Sequence, residues 1–279
     1  MTTDADSQSM VMTIDQGNSS AKLDVWKGLE PVRMLRLEEL SVEMLLPLLG
    51  DDCFDGCVYC SVGHTDAKFL ETLRRLMDWR MIVLTPSTPL PISIGYAGRE
   101  TLGGDRVAAA AGAALLYSGE CVLVVDSGTA VTIDLLDSHG CFVGGNISPG
   151  VAMRLRSLHE STDRLPIVEA EGDVEDFATD TVSAIRSGAV GGMVSEIADS
   201  FSRASSAYGC KRIALTGNDA TLLAPLLRKR GLPVDVHPRL VGLGLLSIFR
   251  YVESLAADSG RGDDCPRPAR GHGRKSIIE

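Results

Sequence analysis

A short acidic motif occurs twice in this chain. Asp15-Gln16-Gly17-Asn18-Ser19 returns 111 residues later as Asp126-Ser127-Gly128-Thr129-Ala130, and each copy separates two runs that read as strands. Residues 11–15 and 20–26 flank the first copy, 121–126 and 130–136 the second, and a further strand follows each pair at 32–37 and 141–147. An acid at the end of a buried strand, followed by Gly and a hydroxyl residue, suits phosphate chemistry. The Gly lets backbone N–H groups approach a phosphate, the hydroxyl adds a donor, and the carboxylate holds a metal ion or its waters. A single copy is also what a plain hairpin looks like when its Asp bonds its own turn. Two copies at matching places in two like halves point instead to a clamp on a nucleoside triphosphate, with Asp15 and Asp126 converging on its metal ion.

The remaining elements repeat with the motif. Helical and strand patterns alternate after the first meander: a helix over 42–49, a strand over 57–62, a helix over 66–79, a strand over 81–84 and an Ala-rich helix over 106–117. In the helix over 66–79, Phe69, Leu70, Leu73, Leu76 and Met77 share one face at helical spacing. After the second meander come helices over 152–159 and from Thr181, a strand over 212–215, a helix over 220–230, a strand over 233–236 and a helix over 241–256. Both halves read β-β-β-α-β-α-β-α, which predicts an α/β protein with a mixed sheet flanked by helices in each half and a cleft between them. The expected organisation is a disordered leader over 1–10, domains over 11–118 and 119–256, and a disordered tail over 257–279, rich in Gly, Pro and both charges.

Composition narrows the function classes. The formal net charge of −10 disfavours nucleic acid as a partner, because a phosphate backbone needs a basic face. No apolar run reads as a membrane span, and the first ten residues are polar and acidic, so a soluble cytoplasmic protein is expected. The odd count of 7 cysteines fits reduced thiols. Cys53, Cys57 and Cys60 have the C-x₃-C-x₂-C spacing with which radical S-adenosylmethionine enzymes hold an iron–sulfur cluster. On a strand, however, Cys57 and Cys60 point to opposite faces and cannot share one.

Three further segments carry chemistry. In Leu102-Gly103-Gly104-Asp105-Arg106, Asp105 is either the N-cap of the next helix or a base for a substrate hydroxyl, and Arg106 can fork a substrate carboxylate. The two glycines suit a close approach to the backbone. Gly144-Gly145-Asn146 and Pro149-Gly150 offer backbone access beside the same cleft. Thr216-Gly217-Asn218-Asp219 reads as an ordinary strand, turn and N-cap, beside which a ribose or base can also lie.

Five segments together, D15QGNSSAK, Y96AGRETLGGDR, D126SGTAVTID, G144GNISPG and T181VSAIRSG, resemble the type III pantothenate kinases of the acetate and sugar kinase/Hsp70/actin superfamily. The resemblance implies a duplicated actin/RNase H-like fold and ATP-dependent phosphorylation of pantothenate, the first step of coenzyme A synthesis. It also implies Mg²⁺ with ATP, a monovalent cation (K⁺ or NH₄⁺), and a homodimer with the pantothenate pocket at its interface. It assigns ATP to Asp15, Gln16, Gly17, Asn18, Ser19, Ser20, Ala21, Lys22 and Thr129, with Asp15 near Mg²⁺ through water. It assigns the monovalent cation to Asp126, the general base to Asp105, and pantothenate to Tyr96, Gly103, Gly104, Asp105, Arg106 and Thr181. The sequence departs from the family pattern at Ser19 (usually Thr), at Gly98-Arg99 (usually Asn-Pro) and at Asn218, which interrupts a usual Gly-Gly. A non-catalytic, nucleotide-binding regulatory member of the same fold is the alternative; retention of Asp15, Asp105 and Asp126 speaks against it.

Overall fold

The computed structural model describes residues 9–49, 54–63, 66–77 and 80–258. Of the disordered leader expected over 1–10 and tail over 257–279, residues 1–8 and 259–279 lie outside the described residues, as does the cluster position Cys53, whereas Met10 opens a strand and Ala257 and Asp258 end a helix. The first half folds as β1 (Met10–Gln16), β2 (Ala21–Lys27), β3 (Glu30–Leu37), α1 (Val42–Leu49), β4 (Gly56–Ser61), α2 (Ala67–Leu76), β5 (Met81–Val83), β6 (Ser93–Ile94) and α3 (Gly104–Leu116). The second follows as β7 (Val122–Ser127), β8 (Ala130–Leu136), β9 (Cys141–Pro149), α4 (Val151–Glu160), α5 (Thr181–Arg186), α6 (Gly192–Tyr208), β10 (Arg212–Thr216), α7 (Ala220–Lys229), β11 (Val234–Val236) and α8 (Leu240–Asp258).

The two sheets share one topology. Their orders are β3-β2-β1-β4-β5 and β11-β10-β7-β8-β9-β6. In each, the meander pairs antiparallel, while its first strand pairs parallel with the next crossover strand, β1 with β4 and β7 with β10. The expected doubling of β-β-β-α-β-α-β-α is therefore present strand for strand. Tiny β6, which the sequence hides inside a Pro-rich stretch, extends the second sheet beyond β9.

Alternation along the strands sorts side chains into layers. Met12, Ile14, Leu23, Val25, Cys57 and Tyr59 face outward onto Leu45, Leu73 and Met77 of α1, α2 and the α2 C-terminus. Val11, Trp26, Val58 and Cys60 face inward, across α3 and α8, toward Val122, Val124, Leu136 and Phe142 of the second sheet. The outer face of that sheet, with Leu123, Val125, Val131 and Ile133, packs under α4, α5, α6 and α7. Cys57 and Cys60 thus lie in different layers, which removes the cluster reading.

Helices α3 and α8 form the central layer, and they cross at very close range. A Cβ on Gly244 would collide with the Ala108 carbonyl, and one on Gly112 with the Leu240 carbonyl. Burial on several sides explains α8's composition, since a helix between two sheets has little polar face. By length and composition α8 is apolar enough to cross a membrane, which corrects the reading that no run is; here Leu240, Leu245, Leu246 and Ile248 are fully buried in the core.

One ion pair ties the two halves beneath this layer. Arg239, just before α8, reaches Asp24 on β2 at 3.0 Å. Burial pushes the Asp24 carboxyl up to about 6, although Arg239 and Lys22 pull it down. Its folded pKa lies above the ordinary 3.8, so the folded state binds this proton more tightly and loses stability as pH rises from about 4 through about 6. Asp24→Asn should therefore gain stability relative to wild type across that window and level off above it. Melting temperatures of both proteins from pH 4 to 8 check this, and a difference that stays flat with pH refutes it.

Candidate active site

The two acidic turns meet. In each, the Gly N–H closes the hairpin, Gly17 to the Ser20 carbonyl at 3.0 Å and Gly128 to the Ala130 carbonyl at 2.9 Å. The Ser19 and Thr129 hydroxyls lie 3.2 Å apart, so the jaws touch through the two residues expected to donate to phosphate. The second turn is braced by the loop after β10. Gly217 has φ +93°, and any side chain on it would strike the Ser127 carbonyl and the Asp126 carboxylate. Asp219 sits at the N-cap of α7 but makes no side-chain cap bond; its carboxylate accepts from the Ser127 hydroxyl at 2.9 Å. The plain N-cap reading of this segment therefore gives way to support of the second jaw.

Strand register sets the charges. Across the inner face of the first sheet, Cys60, Asp15, Lys22 and Arg36 stand side by side on β4, β1, β2 and β3. The matching row of the second sheet is Thr216, Asp126, Thr132 and Ile147. Burial pushes the Asp15 carboxyl up to about 7; Lys22 lowers it, and Asp105 and Asp126 raise it further. Burial likewise lifts Asp126 to about 6, against Lys22 and with help from Asp105. Asp15, Asp105 and Asp126 thus share one electrostatic neighbourhood with one lysine. Among the described residues, no three His, Cys, Asp or Glu side chains converge tightly enough to hold a metal ion unaided. An under-neutralised set of this kind fits a cation that brings other ligands with it, such as phosphate oxygens and waters.

Asp105 reaches this neighbourhood from α3. The helix starts two residues earlier than the sequence suggests, with Gly103 at its N-cap, so Asp105 lies inside the first turn and is not the cap. Its Oδ1 accepts from the Arg106 backbone N–H at 2.8 Å, and it sits where a helix N-terminus favours negative charge. The carboxylate presses on Gly103, and Gly104 packs on the Cys60 thiol, so each glycine makes room for a protein atom on one side while it borders open space on another. Gly145, expected to offer backbone access, lies instead against Asp134.

Arg106 does not present an open fork. Its Nε and Nη2 bind the Asp134 carboxylate at 3.1 and 2.5 Å, with both side chains almost fully buried. The guanidinium lies against the rings of Tyr96 and Phe142, 5.7 and 5.6 Å from their centres, and the rings pack edge to face with centres 6.1 Å apart. Within one chain, Tyr96 and Arg106 therefore support each other beside Asp105. Asp134 was not singled out from the sequence. Its signal is an acid at an inward position of β8, two residues before the buried Leu136.

A cavity of about 250 Å³ opens beside the start of α3. Gly103, Gly104, Leu102 and Val107 line it, with Ser61, Leu84, Ile94 and Arg99 opposite. Three expected residues lie away from the cleft. The Gln16 side chain accepts from the Tyr59 hydroxyl on the outer face of the sheet, Ala21 is buried, and Thr181 opens α5 on the outer layer behind its N-cap Asp180. Backbone groups of Gln16 and Ala21 are what they bring to the first turn. Asn18 and Ser19 are exposed at its tip, and Ser20 accepts from Arg36.

Comparison with known proteins agrees with this geometry. The family model for type III pantothenate kinase matches residues 11–203. A type III pantothenate kinase of Porphyromonas gingivalis is 35% identical over 245 residues, covering 86% of this chain and 98% of the relative. One from Cytophaga hutchinsonii is 36% identical over 242 residues, 87% and 99% of the two chains. Among solved structures, a Baf family protein from Campylobacter jejuni superposes with a TM-score of 0.59 at 23% identity, covering 87% of this chain and 99% of that one. The ADPNP-bound activator of a Clostridium difficile 2-hydroxyisocaproyl-CoA dehydratase has a TM-score of 0.51 at 14% identity, over 90% and 97% of the chains. Those two likenesses speak for the fold, and the family match speaks for the chemistry. The chain belongs to the type III pantothenate kinase family and is an ATP-dependent phosphotransferase.

Proposed function

We propose that this kinase binds ATP with its polyphosphate on the two touching turns and transfers the γ-phosphoryl group to pantothenate seated at the start of α3. The reading is carried by one observation: the two acidic turns meet, with the Ser19 and Thr129 hydroxyls 3.2 Å apart, and the Asp105 charge acts on the acids of both. The backbone N–H groups of the Gly17–Ser20 turn, the Lys22 ammonium and the Ser19 and Thr129 hydroxyls hold the phosphates. Mg²⁺ accompanying ATP would supply neutralisation of the phosphate charge, held through water by Asp15, and K⁺ or NH₄⁺ would be held by Asp126. Asp105 takes the proton of the primary hydroxyl as its oxygen attacks the γ-phosphorus and ADP leaves. Arg106, committed to Asp134, holds the first turn of α3 in place and lends positive charge toward the acceptor. The acceptor chain extends into the cavity lined by Leu84, Ile94 and Leu102. The ADPNP held by the Clostridium difficile activator accords with a nucleotide in this fold.

Thr181 joins the site only if a second copy supplies it, which supports the homodimer. Large exposed apolar side chains elsewhere on this half, Ile147 on β9 and Ile167 and Phe177 in the segment before α5, at 64%, 72% and 93% exposure, suit surfaces covered by that copy. A protein of this kind works in the cytoplasm, where both substrates are found.

Asp105→Asn should keep ATP binding and lose roughly 10²–10⁴-fold in pantothenate-dependent ADP release. Near-normal turnover would remove Asp105 as the base. Withholding K⁺ and NH₄⁺ should lower wild-type turnover, and Asp126→Asn should abolish the response to them; equal rates with and without these ions count against the cation assignment. Asp105→Asn and Thr181→Arg are each expected to be nearly inactive as homodimers. Mixed and re-associated, they should recover activity because one interface keeps both intact groups. No recovery, with exchange verified by native mass spectrometry, would place Thr181 outside the site.

A further inference from the structure

Arg36 occupies a place that the assigned phosphate ligands leave unexplained. It stands on β3 directly beside Lys22 of β2, at the cleft end of the row that includes Asp15. Its side chain is exposed. Its Nε donates to the Ser20 hydroxyl at 3.2 Å, in the first jaw, and its Nη1 donates to the Asn218 side-chain oxygen at 3.1 Å, in the loop that braces the second jaw. Among the described residues no carboxylate pairs with it, in contrast to Arg106 on Asp134, Arg154 on Glu196, Arg212 on Glu120 and Arg239 on Asp24. A guanidinium satisfied only by neutral acceptors, in a cleft built for phosphate, lacks the anion its fork geometry suits.

We propose that Arg36 is a polyphosphate-binding residue of the nucleotide site, strapped across the cleft mouth to Asn218 when no nucleotide is bound and transferred to a phosphate oxygen when one is. The inference rests on the cleft being the ATP site. The exchange replaces a neutral acceptor with an anionic one and keeps Ser20 as the hinge side of the contact. It also gives Asn218 a role: the amide holds the guanidinium over the opening, so Asn218 competes with the nucleotide for Arg36 and does not ligate the nucleotide itself.

The test is calorimetric binding of ATP, ADP and AMP to the intact wild-type protein and to Arg36→Ala, Arg36→Lys and Asn218→Ala, with melting curves confirming that each variant folds. Arg36→Ala should weaken ATP and ADP by roughly 10-fold or more, as expected for loss of a charge-assisted bond to phosphate, and leave AMP within about 2-fold. Arg36→Lys should fall between. Asn218→Ala should bind ATP as tightly as wild type or a few-fold more tightly. Equal affinities of Arg36→Ala and wild type for ATP overturn the role of Arg36 while leaving the cleft as the nucleotide site. A uniform loss for ATP, ADP and AMP overturns it as well, since a phosphate ligand must discriminate among them. So does an Asn218→Ala variant that weakens ATP as much as Arg36→Ala. If the wild-type protein binds no ATP at all, the reading of the cleft falls, and this inference falls with it.

Discussion

The crossing of α3 and α8 sets the geometry of everything else. The helices approach backbone to backbone at Gly112 and Gly244, where no other residue fits without displacing a carbonyl. Each comes from a different half of the chain, and they pack on opposite sheets, α8 on β1, β2 and β4 of the first and α3 on β7 and β8 of the second, with α3 also reaching β4. Fixing the crossing therefore fixes the distance between the sheets, and with it the gap in which the turns of β1–β2 and β7–β8 meet. The start of α3 is anchored a second time by the buried Arg106–Asp134 pair. Losing one partner of such a pair leaves an uncompensated charge in the core, at a cost of about 3–5 kcal/mol. Asp105 is thus located by a helix held at its middle by close packing and at its start by charge. The base proposed at Asp105 must sit within hydrogen-bond reach of its proton, and two anchors on one rigid helix provide that better than a loop would.

The same layer explains why the site's acids are under-neutralised. Asp15 and Asp126 end strands whose other inward residues, such as Val11, Val122 and Val124, are buried in the apolar central core. Burial raises both carboxyls, and the nearby Asp105 raises them again. Lys22 is the cation that acts on both, and one ammonium does not balance three acids. Electrostatic strain of this sort is costly to the empty fold and useful to a kinase, because it is relieved when cations arrive with the nucleotide.

Much of this was legible from the residues alone. The doubled D-x-G turn predicted the doubled fold, because the hairpin and its flanking period-two strands are local patterns that survive in any tertiary context. The turn acids and Lys22 follow from the same pattern. What the sequence concealed depends on packing between segments far apart in the chain. Asp134 is an ordinary strand acid until Arg106 is brought onto it from 28 residues away. Asp219 is an ordinary N-cap until Ser127 approaches. The first turn of α3 begins at Gly104 because Gly103 accommodates the Asp105 carboxylate, a contact that propensity does not encode. Even α8 misleads from either direction, since a helix buried between two sheets has the composition of a membrane span.

The duplication has also diverged in a direct physical sense. In the first jaw the neighbours of Asp15 across the meander are Lys22 and then Arg36, both cationic. In the second jaw the neighbours of Asp126 are Thr132 and then Ile147, one neutral and one apolar, with Thr216 on the other side. Two jaws with identical topology therefore offer opposite surroundings to similar acids. The first can meet a highly charged polyphosphate with fixed positive side chains. The second has no basic residue in its own row, and Asp126 draws its counter-charge from Lys22 across the cleft. A chain with this asymmetry has reason to recruit a monovalent cation on the Asp126 side, while the Asp15 side meets the nucleotide and its Mg²⁺ with fixed charges. The proposed division, basic phosphate ligands on the first sheet and the monovalent cation on the second, accords with which residues occupy two equivalent rows.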